Sequence, residues 1–544
     1  MLKNDKFKMN RKNKLKYDQN WWRGSVTYQI YPRSFMDSNA DGVGDIPGII
    51  NKLDYVASLG VDAIWLSPIF TSPMADMGYD VSDYKAIDPI FGTLTDFDTL
   101  IKKAHSLNLK VIIDQVISHS SDQHPYFIES RKSRNNKKAD WYVWADPKPD
   151  GTPPTNWLAT FGGSCWEWDT RRRQYYLHNF LKEQPDWNFH NSAVQKYHLD
   201  CMKFWLERGV DGFRLDTVNY YFHDKKLRDN PPNPNPRAKN AVRPFEMQHM
   251  IYSKNQPENI KFLERMRSLL DKYDARTMVG EVGDMHQSIE LMAQYTSKKR
   301  LHMAYSFEML GPDFSPNHFR ERIENFFTKA PNGWPCWAFS NHDVPRHVGR
   351  WLSHSKNQDL LAKQAAAMLL SFEGSICLYQ GEELGQTNTE LAFEELMDPD
   401  GINFWPEHKG RDGCRTPMVW NNNQSNGGFS LANKTWLPIK EAQLSRSVSA
   451  QGENSVLEFY RKMLKLRRTE EDLRLGKTKF LNLPEPVLGY MRGKNYVCIF
   501  NLSTKTVSID LPIKIEPSIK QQAEVKDHKI KLKANGFVIG THAN

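Results

Sequence analysis

The chain has 544 residues, more than one compact core usually holds, so two or three domains are expected. Hydrophobic residues make up 39% and charged residues 25%, which excludes a disordered chain, and no run of eighteen apolar residues is present to span a bilayer. The net charge of +9 arises from 73 Lys and Arg against 64 Asp and Glu, spread along the sequence; this is a slightly basic, solvated surface, not a nucleic-acid or membrane face.

Residues 1–20, MLKNDKFKMNRKNKLKYDQN, read as a basic flexible tail without the apolar centre of a secretion signal. The six cysteines (Cys165, Cys201, Cys336, Cys377, Cys414 and Cys498) form no CxxC pair and show no zinc-finger spacing. They are expected to be free buried thiols in a reducing cytoplasm. From residue 21 onward, β-rich apolar runs recur at 25–35, 61–70, 109–119, 210–216, 277–282, 301–310, 336–343 and 374–383. Helix-period stretches such as 97–107, 193–209 and 259–273 lie between them. Eight such units predict an α/β fold, a (β/α)8 TIM barrel, although an open doubly wound sheet would alternate in the same way. The strand ends favour the barrel. His119, Asp216, Glu281 and Asp343 fall at or just beyond the polar ends of four runs, where barrels carry their reactive groups. No GxGxxG or GxxxxGK[ST] turn supports the open sheet.

The expected organisation is therefore a first barrel segment at 21–119 and an inserted domain at 120–190, after the third strand. That insert is aromatic and rich in Pro and Gly, with no clear periodicity. The barrel resumes at 191–472, interrupted by a second insertion at about 386–450 and closed by a helix at 455–468. Short strand-like pieces from 473 to 544 predict a C-terminal all-β sandwich domain. Near the start, DSNADGVGD (37–45) sets Asp37, Asn39, Asp41, the Val43 carbonyl and Asp45 at alternate positions, with Gly42 for the turn. This matches the first nine positions of a calcium loop, although the twelfth is Gly48, so a structural Ca2+ or Mg2+ is expected.

Asp216, Glu281 and Asp343 are the central trio. Two carboxyl groups about 5–5.5 Å apart suffice for retaining glycoside hydrolysis, one as nucleophile and one as acid/base. Arg214 shares a strand face with Asp216 and is expected to keep it ionised. Glu281 follows the apolar run MVG, and partial burial there would raise its pKa toward that of a working acid.

The segments DQVISH (114–119), GFRLDTVN (212–219), GEVGD (280–284) and SNHD (340–343) resemble, in order, the four signature regions of the α-amylase family, glycoside hydrolase family 13. QPDWN (184–188) resembles a fifth, and the similarity runs from residue 21 through the β-rich tail. The match is to the α-glucosidase and oligo-1,6-glucosidase branch. By this resemblance Asp216 is the nucleophile, Glu281 the acid/base and Asp343 the transition-state stabiliser. Tyr79 would stack on the sugar, and Asp76 and Arg411 would pair to hold the terminal 4-hydroxyl and shut the pocket. His119 and His342 would bond sugar hydroxyls, while Phe161 and Phe180 would wall the site. The family usually has Asn where Ser118 stands. In this branch Val after the nucleophile accompanies α-1,6 activity, so Thr217 points to α-1,4 linkages. The Pro-rich stretch 227–237 would narrow the leaving-group side.

The resemblance implies a monomeric or homodimeric cytoplasmic enzyme that acts on small α-glucosides, with transglucosylation and no organic cofactor. Oligo-1,6-glucosidases, sucrose isomerases or hydrolases and trehalose-phosphate hydrolases share the trio. Non-catalytic transporter heavy chains share the fold, but they require a membrane helix.

Overall fold

The structure is a computed structural model that describes residues 18–543; the basic tail expected at 1–20 lies outside the described residues up to 17. Eight parallel strands form one sheet: β1 (Val26–Ile30), β2 (Ala63–Leu66), β3 (Lys110–Gln115), β4 (Gly212–Leu215), β5 (Thr277–Val282), β6 (Met303–Ser306), β7 (Cys336–Trp337) and β8 (Ser375–Tyr379). Their order is β6-β5-β4-β3-β2-β1-β8-β7, and a parallel bridge from Ala304 to Pro335 joins the two ends into a barrel. All eight strands are buried at every position, as expected for parallel strands covered on both faces. β7 is far shorter than the run 336–343 suggests. Beyond Trp337 the chain turns to bond itself, with Asp343 N–H donating to Asn341 Oδ1 at 2.8 Å, so SNHD is loop.

Strand register positions the site. Asp114 on β3 is level with Arg214 on β4, Leu215 is level with Gly280 on β5, and Glu281 is level with Tyr305 on β6. Asp216, one step past Leu215, therefore emerges beside Glu281. The packing is close enough that a Cβ on Gly212 would meet the Thr277 carbonyl at 2.6 Å.

Helices α1 (Ile46–Leu59), α2 (Leu94–Ser106) and α3 (Ser192–Glu207) belong to the outer ring and start at side-chain caps from Asp45, Thr93 and Asn191. α2 buries Phe97, Leu100, Ile101 and Ala104, and each large side chain of this kind contributes about 1.5–3 kcal/mol. The expected closing helix is α4 (Val456–Thr469). Its Arg467 is fully buried and donates to the carbonyls of Leu370, Phe372 and Leu473.

Between β3 and β4, a three-stranded antiparallel sheet (Trp144–Ala145, Trp166–Asp169, Gln174–Leu177) packs on a small core around Trp157, Cys165 and Trp166. The segment 386–450 contains only short helices and turns. The C-terminal part is antiparallel: β9 (Thr478–Phe480), β10 (Val487–Arg492), β11 (Tyr496–Asn501), β12 (Val507–Asp510), β13 (Lys514–Lys526) and β14 (Lys529–Ala543). It is one continuous sheet, because β14 pairs β12 through Lys529–Leu532 and β11 through Phe537–Thr541. A break at Asn535 (φ 51°) lies between the two pairings, and strands on either side of it share the core of Val497, Ile499, Ile530 and Val538.

Candidate active site

The C-terminal rim of the barrel surrounds a cavity of about 290 Å³. Asp216, Glu281 and Asp343 all line it, each delivered from the end of a different strand. Arg214 lies behind the wall, fully buried, and holds two of the trio together. Its Nη1 is 2.7 Å from Asp216 Oδ1, and its Nη2 is 2.6 Å from Glu281 Oε1. Nη1 also donates to Asp114 at 2.9 Å. Tyr305 completes the cluster, accepting from the guanidinium at 2.9 Å and donating to Glu281 Oε1 at 3.0 Å. The sequence reading did not single out Tyr305; only register places it there.

Burial raises both Asp216 and Glu281, each to about 7, against the downward pull of Arg214. Arg214 favours the ionised form of Asp216, as expected, while desolvation and the Asp114 and Asp343 charges oppose it. Asp343 behaves oppositely. Burial works to raise it, but the Arg415 and Arg411 guanidiniums hold it below the usual carboxylate range. Arg415 Nη2 is 3.1 Å away, and it too escaped the sequence reading.

The closed end of the cavity is built on Arg411. Its Nη2 reaches Asp76 Oδ1 at 2.8 Å, as expected, and Asp398 Oδ1 at 2.6 Å, while Nη1 stands 3.5 Å from Asp343. Asp398 also accepts from the Arg411 N–H and Nε. It comes from the irregular 386–450 segment, where no periodicity marks it. Phe161 lies under the Arg411 guanidinium at 4.8 Å, and Phe180 packs between Phe161 and His119.

Tyr79 and His119 also line the cavity. His342 is not among the wall residues; like Arg214, it lies just behind them. His342 stacks flat on Tyr79 (centroids 5.4 Å apart, 8° between planes) and its Nδ1 meets Gln29 at 2.7 Å. Burial pushes His119 down to about 4 and His342 well below the usual range, so both rings are neutral. Thr217 lines the wall with φ at 38°, an unusual backbone for a β-branched residue. Its N–H donates to Glu281 Oε2 at 3.0 Å, which gives that conformation a partner at the reacting groups.

The Pro-rich stretch 227–237 supplies none of the wall. It is pinned to the inserted segment, with the Arg228 carbonyl accepting from Trp157 Nε1 at 2.9 Å and the Asn230 carbonyl from Asn156. Arg243, Phe245 and Glu246, further along the same loop, form the mouth, and Arg243 faces Asp400 across it at 3.6 Å.

The family model described as the alpha amylase catalytic domain matches residues 29–476. The chain belongs to the α-amylase family, glycoside hydrolase family 13. It is 52% identical over 536 residues to a probable alpha-glucosidase of Rhizobium meliloti, covering 96% of this chain and 97% of that one. An oligo-1,6-glucosidase of Heyndrickxia coagulans is 37% identical over 536 residues, covering 90% and 94% of the two chains. Among solved structures, the alpha-glucosyl transfer enzyme XgtA superposes with a TM-score of 0.92 at 50% identity, covering 96% and 99%. The trehalose-6-phosphate hydrolase of Bacillus licheniformis gives 0.86 at 30%, covering 96% and 100%.

In kind, the 37–45 loop offers the all-oxygen donor set that a hard cation of the family would need. Its side chains also brace the backbone: Asp37 accepts from the N–H groups of Asn39, Ala40 and Gly42, and Asp45 caps α1 through Gly48. Among the described residues, no three His, Cys, Asp or Glu side chains are placed to hold a metal ion. The donors fit in type but are not drawn together, and no chemical step depends on them. Among the described residues, no helix is long and apolar enough to cross a membrane.

Proposed function

We propose that this protein is a retaining, exo-acting α-glucosidase that releases terminal α-1,4-linked glucose from maltose and short α-glucosides. The observation that carries the reading is Asp216 and Glu281 sharing one guanidinium in a cavity whose far end is shut by Arg411 with Asp76 and Asp398. Retention requires two carboxyls about 5–5.5 Å apart, and sharing one guanidinium holds Asp216 and Glu281 close together, which supports that reading. In the first step Asp216 attacks C1 while Glu281 gives its proton to the glycosidic oxygen, which leaves as a sugar alcohol. In the second, Glu281 takes a proton from water, the water oxygen attacks C1, and the ester to Asp216 breaks. Two inversions give α-glucose. The same ester passes its glucosyl group to another sugar hydroxyl in transglucosylation.

The charge balance suits this chemistry. Six carboxyls (Asp76, Asp114, Asp216, Glu281 and Asp398, all buried, and the partly exposed Asp343) face three guanidiniums (Arg214, Arg411, Arg415), an excess that favours a developing oxocarbenium ion. Asp343, ionised throughout the working range, is the stabiliser. The cavity, at the small end of the roughly 300–1,000 Å³ usual for ligand pockets, supports short substrates. Thr217 supports the α-1,4 preference over the oligo-1,6 alternative. Six free, buried cysteines support a reducing, cytoplasmic setting. The 37–45 loop remains the place for a structural Ca2+ or Mg2+.

Initial rates of glucose release from maltose, isomaltose, sucrose and trehalose test the reading. Maltose is expected to be fastest. Faster isomaltose or sucrose cleavage would move the protein to another branch of the family.

A further inference from the structure

Ser118 stands where the family usually has Asn, and the site described above gives it no task. It is 2% exposed, and its Oγ touches two residues of the cavity wall, His119 Nδ1 at 2.8 Å and Thr217 Oγ1 at 2.9 Å. The direction of these bonds follows from His119. Its Nε2 lies 3.0 Å from the Tyr79 carbonyl, which can only accept, and further, at 3.2 Å, from the Gln184 amide nitrogen. That amide is itself served by Asp76 Oδ2. Nε2 therefore carries the proton, and in the neutral ring Nδ1 is an acceptor. Ser118 must then donate to Nδ1, which leaves its oxygen to accept from Thr217.

Thr217 has one hydroxyl proton and two acceptors: Ser118 Oγ at 2.9 Å and Asp216 Oδ2 at 3.3 Å. The nearer one takes it. We propose that Ser118 is a positioning residue for the nucleophile: it draws the Thr217 hydroxyl proton away from Asp216, leaving that carboxylate less solvated and more reactive. The inference rests on Asp216 being the nucleophile. The other groups facing Asp216 are Arg214 and Tyr221 from its own segment, Asp114 from β3, Glu281 from β5, Asp343 beyond β7, and Tyr79. None of them bonds to the Ser118 hydroxyl, whose partners are His119 and Thr217.

The test uses the full chain with Ser118→Ala, Ser118→Thr, Thr217→Val and the double variant Ser118→Ala/Thr217→Val. Each is first trapped with a fluorinated glucosyl fluoride and mapped by mass spectrometry. A label on the Asp216 peptide upholds the nucleophile; a label elsewhere overturns that reading and this one with it. The pH profile of kcat/KM for p-nitrophenyl α-glucoside then decides the role of Ser118. In Ser118→Ala the Thr217 proton turns to Asp216 and stabilises its charged form. The acidic limb is expected to move down by about half to one pH unit, and the plateau to fall about 3- to 10-fold. Ser118→Thr, which keeps the hydroxyl, should restore both. In the Thr217→Val background, Ser118→Ala should move nothing further. An unmoved limb in a folded Ser118→Ala protein, or the same shift without Thr217, would overturn the proposal. Should the alanine variant not fold, Ser118→Cys, a weak acceptor of similar size, is read in the same way.

Discussion

Replacing Arg411 by Lys tests the closed end of the pocket with the charge kept. The guanidinium divides its donors between Asp76 at 2.8 Å and Asp398 at 2.6 Å, with Nε 3.1 Å from both Asp398 oxygens and Nη1 3.5 Å from Asp343. One ammonium cannot span these carboxylates, so at least one charge-assisted bond is lost. Such a bond contributes about 1.5–3 kcal/mol, which corresponds to a 10- to 160-fold fall in kcat/KM. Asp76 is the group left exposed to the loss, since Asp398 keeps the backbone N–H groups of residues 411 and 400. Burial already raises Asp76 despite Arg411. With the guanidinium gone its pKa rises further, its charged form is lost at a higher pH, and the acidic limb of activity on maltose moves up. The assay is steady-state kinetics on maltose across that limb. A variant within threefold of the parent, with an unmoved limb, would refute the assignment of Arg411 and Asp76 to glucose binding.

Thr217→Val is expected to raise isomaltose hydrolysis relative to maltose; an unchanged ratio of initial rates removes Thr217 as a linkage determinant. Adding Ca2+ should raise the melting temperature and chelator should lower it, with Asp37→Ala abolishing the response; no response in the parent protein would remove the metal from the 37–45 loop. Glu382 is buried, bonded to Tyr460 O–H at 3.0 Å, and pushed by burial up to about 8. Because the folded value lies above the unfolded one, its contribution is full below the unfolded pKa and is lost as pH rises through about 8. Glu382→Gln should therefore lose melting temperature less steeply than the parent between pH 4.5 and about 8; parallel curves across that window would contradict the burial argument.

The barrel was legible because parallel strands buried on both faces leave long apolar runs that end abruptly. Asp216 and Glu281 stood out as the charges that end them. What the sequence hid depends on distance. Tyr305 reaches Glu281 only through the register of β5 and β6. Arg415 lies on irregular chain 72 residues from Asp343, and Asp398, 13 residues from its partner Arg411, lies on chain with no period to mark it. Arg214 and His342 are named by motifs, and packing sets both just behind the wall, where they bond to or stack on residues that line it. β7 was overdrawn because Phe339 and Ala338 continue an apolar run while the backbone has already turned. The inserted segment carries a real antiparallel sheet whose strands, two to four residues long, are too short to produce a visible alternation.

The anomeric form of the first glucose released from maltose, followed by proton NMR before mutarotation, tests the central claim most directly. Attack by Asp216 followed by attack of water predicts early α-glucose. Early β-glucose would mean a single displacement and would contradict a glucosyl ester on Asp216.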